Sequence, residues 1–148
     1  MKNMRFRAAL LIGAVITVIY AAGALGGSGG GTITTIAGTG VAGFSGDGGQ
    51  ATMAQIDEPQ GVAVDGQGNV FFTDFTSQRV RKITSSGTIA TFAGYFSATI
   101  TTGSTAVGDG GPATSAPLYY PVGLALDQQG NLYIAEYEEQ RVRNVSPS

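Results

Sequence analysis

"PQGVAVDGQGNVFFTDFTSQRVRKI" (Pro59–Ile83) returns 62 positions later, without a gap, as "PVGLALDQQGNLYIAEYEEQRVRNV" (Pro121–Val145). Both copies have the rhythm of strands. Val62 and Val64 alternate in "GVAVD", as Leu124 and Leu126 do in "GLALD", and a period of two is that of a half-buried strand. "NVFFTD" and "NLYIAE" are β-rich runs entered through "GQGN" and "QQGN", which is hairpin-turn chemistry. "QRVRKI" and "QRVRNV" alternate again, with Arg79 and Arg81 on one face and Val80 and Lys82 on the other.

The repetition extends outward. "GTITTIAG" (Gly31–Gly38) matches "GTIATFAG" (Gly87–Gly94) at a spacing of 56. From Gly46 and Gly108 onward the spacing is 62, so the second copy carries six extra residues in "YFSATITTGSTAVG" (Tyr95–Gly108). Length variation confined to one place marks a surface loop. Beyond the N-terminal segment no stretch has a 3.6-residue period, so the chain is expected to be all-β. Four short strands per repeat with turns between them is the grammar of a propeller blade.

The glycine-rich loop "FSGDGGQATMAQIDE", the Pro-x-Gly strand ending at Asp65, the Gly-Asn turn and the Arg-Val-Arg strand occur twice in the same order. Together they resemble the bacterial NHL repeat over nearly all of residues 32–148, with repeats at about 32–86 and 87–148. The resemblance implies a β-propeller of four-stranded antiparallel blades, about two blade-equivalents in this chain. The second copy departs from the first where Glu136 stands for Asp74 and where Glu138-Glu139 stand for Thr76-Ser77.

At the N-terminus Lys2, Arg5 and Arg7 precede the apolar run "AALLIGAVITVIYAAGA". Ala22-Gly23-Ala24 places small residues where a signal peptidase reads, so 1–24 reads as an export signal and 25–31 as a glycine-rich tether. The rival is an uncleaved anchor, because Ala8–Leu25 is 18 residues and near the lower limit for spanning a bilayer. Either way a periplasmic or extracellular location is expected, with membrane contact only if the segment stays. Cleavage leaves 5 basic against 10 acidic residues, a balance that argues against general affinity for nucleic-acid phosphates.

A closed propeller takes about four to eight blades. The strands expected here are one complete set (Pro59–Gly94), three more (Pro121–Val145) and a lone one at Thr32–Ala37. Left alone, two blades would leave Val62, Val64, Leu124 and Leu126 open to water. Three arrangements meet that deficit: a ring of several chains, a head-to-tail filament with strand exchange, or a longer polypeptide of which this is a part.

Candidate chemistry is sparse. With no Cys and no His, thiolate sites, imidazole ligands and the usual base for a Ser nucleophile are missing. Metal-binding NHL-like enzymes that use His therefore lend no position to this chain. Asp47 and Asp109 in "GDGG" are the weak metal candidates, Ca²⁺ being the ion such loops would suit. The competing reading is a tightened turn. "DGQGN" (Asp65–Asn69) and "DQQGN" faintly resemble calcium loops but sit between strands. Arg79, Arg81, Arg141 and Arg143 could line an RNA stripe, as some animal NHL proteins do. Without interleaved aromatics, pairing with Asp74 or Glu136 is expected instead, and exposed pairs of that kind contribute under about 1 kcal/mol. Tyr95, Tyr119, Tyr120 and Tyr137, with Tyr133, are the weak binding candidates, able to stack on a sugar or line a partner surface. The expected role is an exported, non-catalytic binding or scaffolding module acting through blade rims and loops. Its partners would be a protein or glycan ligand or further copies of the chain. A lyase- or lactonase-like enzyme with its catalytic residues beyond this chain, and a structural ring or filament subunit, are the alternatives.

Overall fold

A computed structural model describes residues 30–97 and 108–147. The segment 1–24, the tether to residue 29 and most of the six-residue insertion lie outside the described residues. Among them there is no α-helix, and no helix long and apolar enough to cross a membrane. The ordered elements belong to the compact unit that begins at Thr34.

Strands β1 (Pro59–Val64), β2 (Val70–Asp74), β3 (Arg79–Ile83) and β4 (Ile89–Ala93) form an antiparallel meander in the order β1-β2-β3-β4. Strands β5 (Pro121–Leu126), β6 (Leu132–Glu136) and β7 (Arg141–Val145) form a three-stranded sheet in the order β5-β6-β7. The register repeats with the sequence. Val62 faces Phe72 and Val64 faces Val70 in the first sheet; Leu124 faces Ile134 and Leu126 faces Leu132 in the second.

The Gly-Asn turns close each first hairpin by an Asx arrangement. Asp65 Oδ1 accepts from the Gln67 and Asn69 amides at 2.9 and 2.8 Å, and Asp127 Oδ1 accepts from Gln129 and Asn131 at 3.0 and 2.8 Å. Gly68 and Gly130, at φ of 81° and 86°, occupy the left-handed position of the turn, which glycine adopts without a Cβ penalty. Burial pushes the Asp65 carboxyl up, but the Asn69 and Gln67 hydrogen bonds outweigh it and the net shift is downward. At Asp127 the Asn131 side chain leads the same downward shift.

The two sheets pack face to face. Ala63, Phe71, Val80 and Ala93 of the first meet Leu124, Leu132 and Ile134 of the second, with Leu118 between them. Phe71 and Phe92 lie edge to face at 4.9 Å within this layer. The close approach depends on Gly61, since a Cβ there would stand 2.5 Å from the Val122 carbonyl oxygen. On the far side of the first sheet, Phe72, Ile83 and Ile89 are covered by Ala51 and Ala54 of the glycine-rich loop.

Two expectations change. Val62 and Val64 are 60% and 59% exposed as expected, but Leu124 and Leu126 are packed against the first sheet, because that sheet occupies the space a preceding blade would fill. Thr32–Ala37 is not a strand. It is extended chain with no ladder partner among the described residues, and a strand is defined by its neighbour. Its end is nevertheless held where an outer strand would end: the Gly38 amide donates to Ala51 O at 2.9 Å, as the Gly94 amide does to Ala113 O.

Candidate binding site on the blade rim

A guanidinium anchors each blade, fully buried in the first and partly buried in the second. Arg81 is fully buried, its Nη1 donating to Asp74 Oδ2 at 3.2 Å and its Nη2 to Asp47 Oδ1 at 2.6 Å and to Ser45 O at 3.0 Å. Arg143 repeats the pattern with Asp109 Oδ1 at 2.6 Å and Glu136 Oε2 at 3.5 Å. The pairing of Arg81 with Asp74 and of Arg143 with Glu136 is thus present, but the expectation of an exposed pair fails for Arg81 and Asp74. The glycine-rich loop folds back over β3 and takes that pair out of water, with Phe44 stacked 3.9 Å from the Arg79 guanidinium and 4.7 Å from that of Arg81.

The same network places Asp47 and Asp109. Asp47 lies in the turn closed by the Gly49 amide on Gly46 O, and its second oxygen accepts from Thr91 Oγ1 at 2.6 Å. Both Asp47 oxygens are therefore engaged by side chains of β3 and β4. Asp109, 72% exposed, is held by Arg143. Among the described residues no three acidic side chains converge as a ligand set for an ion.

From this anchor the rim is built outward. Asp74 Oδ1 accepts from the Asp57 amide at 3.0 Å, and Glu136 Oε1 accepts from the Tyr119 amide at 2.7 Å. The longer Glu136 thus does the work of Asp74. These bonds fasten the chain just before β1 and β5 to the β2–β3 and β6–β7 connections. The Thr76 amide reaches Asp57 O at 3.4 Å and the Tyr137 amide reaches Tyr120 O at 3.1 Å. Glu58 and Tyr120, each directly before a proline, are held at φ of 53° and 46°, and Gln78 and Gln140 at 56° and 51°. Such conformations cost about 1–3 kcal/mol each and persist where surrounding bonds dictate them. They occur at the same positions in both copies.

The result is an aromatic patch over the seam between the sheets. Phe75 and Tyr120 meet at 4.9 Å with their rings tilted by 42°. Tyr137, 68% exposed, is tied to Tyr120 through its backbone amide, and Glu58 is hydrogen-bonded to Thr76 Oγ1 at 3.2 Å, next to Phe75. Of the tyrosines singled out from sequence, Tyr120 takes part in this ring pair and Tyr137 is joined to it by a backbone hydrogen bond. Tyr119 is a core residue at 6% exposure, and burial pushes its phenol up. Tyr95 is half-buried. Tyr133 lies on the outer face of the second sheet, its hydroxyl donating to Asp127 Oδ2 at 3.1 Å. Sequence reasoning missed Phe75 and Glu58. An aromatic at the same place in both copies, Phe75 and Tyr137, directly after the buried carboxylates was the available signal.

Burial pushes the Glu136 carboxyl up, and the Tyr119 amide and the Arg143 and Arg141 guanidiniums only partly offset it. A carboxyl whose folded pKa lies above its unfolded one contributes stability that is present below the ordinary value of 4.5 and lost as pH rises through the folded value. The difference in urea midpoint between the wild-type chain and Glu136→Gln is expected to shift in favour of the variant as pH rises through that window. A difference that is flat with pH would contradict the assignment.

Antiparallel sheets of four and three strands stacked face to face through a close-packed inner strand are blades of a β-propeller. Residues 39–107 match the teneurin NHL domain family and residues 118–143 the NHL repeat; the chain is an NHL-repeat protein. Similar solved structures come from Bacteroides. A Bacteroides thetaiotaomicron protein of unknown function is 25% identical with a TM-score of 0.56, over 66% of this chain and 23% of its own. Auxiliary nutrient binding proteins from Bacteroides ovatus and Bacteroides thetaiotaomicron are 24% and 22% identical with TM-scores of 0.55 and 0.57. They match over 72% and 74% of this chain and 26% and 27% of their own. The chain thus spans about a quarter of the length of these structures. No curated protein matches it.

Proposed function

We propose that this chain is an exported, non-catalytic binding module that holds a glycan or protein ligand on its blade rim, as part of a larger propeller. The observation that carries the reading is the Phe75–Tyr120 ring pair, with the exposed Tyr137 tied to it through the backbone, held by strained backbone and buried carboxylates. Fixed aromatic faces with a polar border suit stacking on a sugar ring or a partner side chain at little entropic cost. The acidic Glu58 beside them disfavours an anionic ligand. That two proteins sharing the fold are described as nutrient-binding is in keeping with a binding use of such a rim. Export rests on the basic start and apolar run at 1–24.

The test is an oligosaccharide array probed with the wild-type chain and with Tyr137→Ala, followed by titration of any ligand found. Loss of one stacking face is expected to weaken binding about tenfold, from roughly 1.4 kcal/mol. Unchanged affinity in Tyr137→Ala would move the site away from this rim.

A further inference from the structure

The turn that carries Phe75 also carries two buried polar side chains that no protein group satisfies. Ser77 is 7% and Gln78 8% exposed, and among the described residues neither the Ser77 hydroxyl nor the Gln78 carboxamide makes a hydrogen bond. The bonds these residues do make use backbone atoms. The Gln78 amide donates to Phe75 O at 3.1 Å, and Ser77 O accepts from Arg79 Nη1 at 2.7 Å. Buried side-chain polar atoms nearly always have a partner, and leaving one without lowers stability.

The burial comes from the seam between the blades and not from the turn itself. Gln140, the same residue in the second copy, has nearly the same φ, 51° against 56°, yet it is exposed. The left-handed backbone thus belongs to the repeat. At Gln78 the segment leading into β5 closes on the turn. A Cβ on Gly94 would stand 2.6 Å from Gln78 O and 2.8 Å from Leu118 Cδ1, so these groups meet with no room between them. Two residues beyond Leu118, the Tyr120 ring lies 4.9 Å from that of Phe75. The unbonded carboxamide and the ring pair are parts of one seam, and both of its sides belong to this chain.

We propose that this seam is a subsite for a neutral sugar, with Gln78 as the residue that reads a sugar hydroxyl. The inference rests on the rim reading, and it adds the ligand class and the residue that selects it. A carboxamide offers donors and an acceptor together, and a sugar hydroxyl is itself both donor and acceptor. The Ser77 hydroxyl is suited in the same way. The Phe75–Tyr120 pair supplies an apolar face for the C–H side of a pyranose ring. None of these groups is charged, and Glu58, held next to Phe75 by its bond to Thr76 Oγ1, repels a carboxylate or a sulfate. An apolar peptide side chain would cover the rings but leave the carboxamide unbonded. A sugar does both, so binding supplies the partners that folding withholds.

Gln78→Met nearly keeps the volume of the side chain and removes its polar end. Two effects of opposite sign are expected in the full chain. The urea midpoint rises, because an unpaired polar group has left a buried place. The affinity for a neutral oligosaccharide found on the array falls about tenfold, the effect of losing one hydrogen bond. Among monodeoxy analogues of that sugar, one is expected to bind the wild-type chain about tenfold more weakly than the parent sugar does. Gln78→Met is expected not to distinguish that analogue from the parent. A lowered midpoint would give the carboxamide a structural role, and unchanged affinity would mean that solvent alone meets it. Array binding confined to acidic sugars would remove the neutral class. Each of these overturns the proposal. Tyr137→Ala separates the two readings. Weakened binding there beside wild-type affinity in Gln78→Met removes only the role of Gln78. Wild-type affinity in both, or no binding on the array, removes the rim site as well.

Discussion

Arg81→Met is expected to destabilise the chain by about 3–5 kcal/mol, the usual consequence of leaving one member of a buried ion pair without its partner. The side chain is fully buried, and its loss leaves Asp74 with the Asp57 amide and frees the glycine-rich loop at Ser45 and Asp47. Adding Asp74→Asn to Arg81→Met is expected to recover a substantial part of the loss, because the stranded charge is then gone. Urea unfolding of the single and double variants checks both statements. A single variant within about 1 kcal/mol of wild type would place Arg81 among exposed pairs after all.

Gly61→Ala is expected to be nearly as damaging for a different reason. The added Cβ would sit 2.5 Å from the Val122 carbonyl oxygen and 3.1 Å from Gly123 Cα, and both obstacles are backbone. Overpacking that cannot be relieved by a rotamer change costs roughly 3 kcal/mol, and here it forces the inner strands of the two blades apart. The same substitution at the equivalent Gly123 meets ordinary contact only and is expected to leave the melting temperature of the dilute chain nearly unchanged. Thermal melts of the two variants side by side make the comparison. Equal effects would contradict the close approach of the second sheet at Gly61.

The strands were legible because their information is local. Alternation at Val62, Val64, Leu124 and Leu126 and the Asp-to-Asn turns place β1, β2, β5 and β6 without tertiary knowledge, and the second copy confirms each. The buried Arg81 was not legible. A charged residue alternating along a strand reads as a solvent face, and the group that buries it comes from 34 residues earlier in the loop. Thr32–Ala37 shows the reverse problem, since its sequence is that of a strand but the ladder that would make it one is absent from the described residues. The rim was half legible: tyrosines near loops drew attention to Tyr120 and Tyr137. Phe75 and Glu58 depended on how Asp74 and Glu136 staple two connections together, and Tyr119 turned inward because its own amide is one of the staples.

The most direct test of the account is the affinity of an oligosaccharide found on the array for the wild-type chain, Phe75→Ala and Tyr137→Ala, measured by titration. A rim site built on these rings predicts about tenfold weaker binding in each variant with the fold retained. Wild-type affinity in both variants would contradict it.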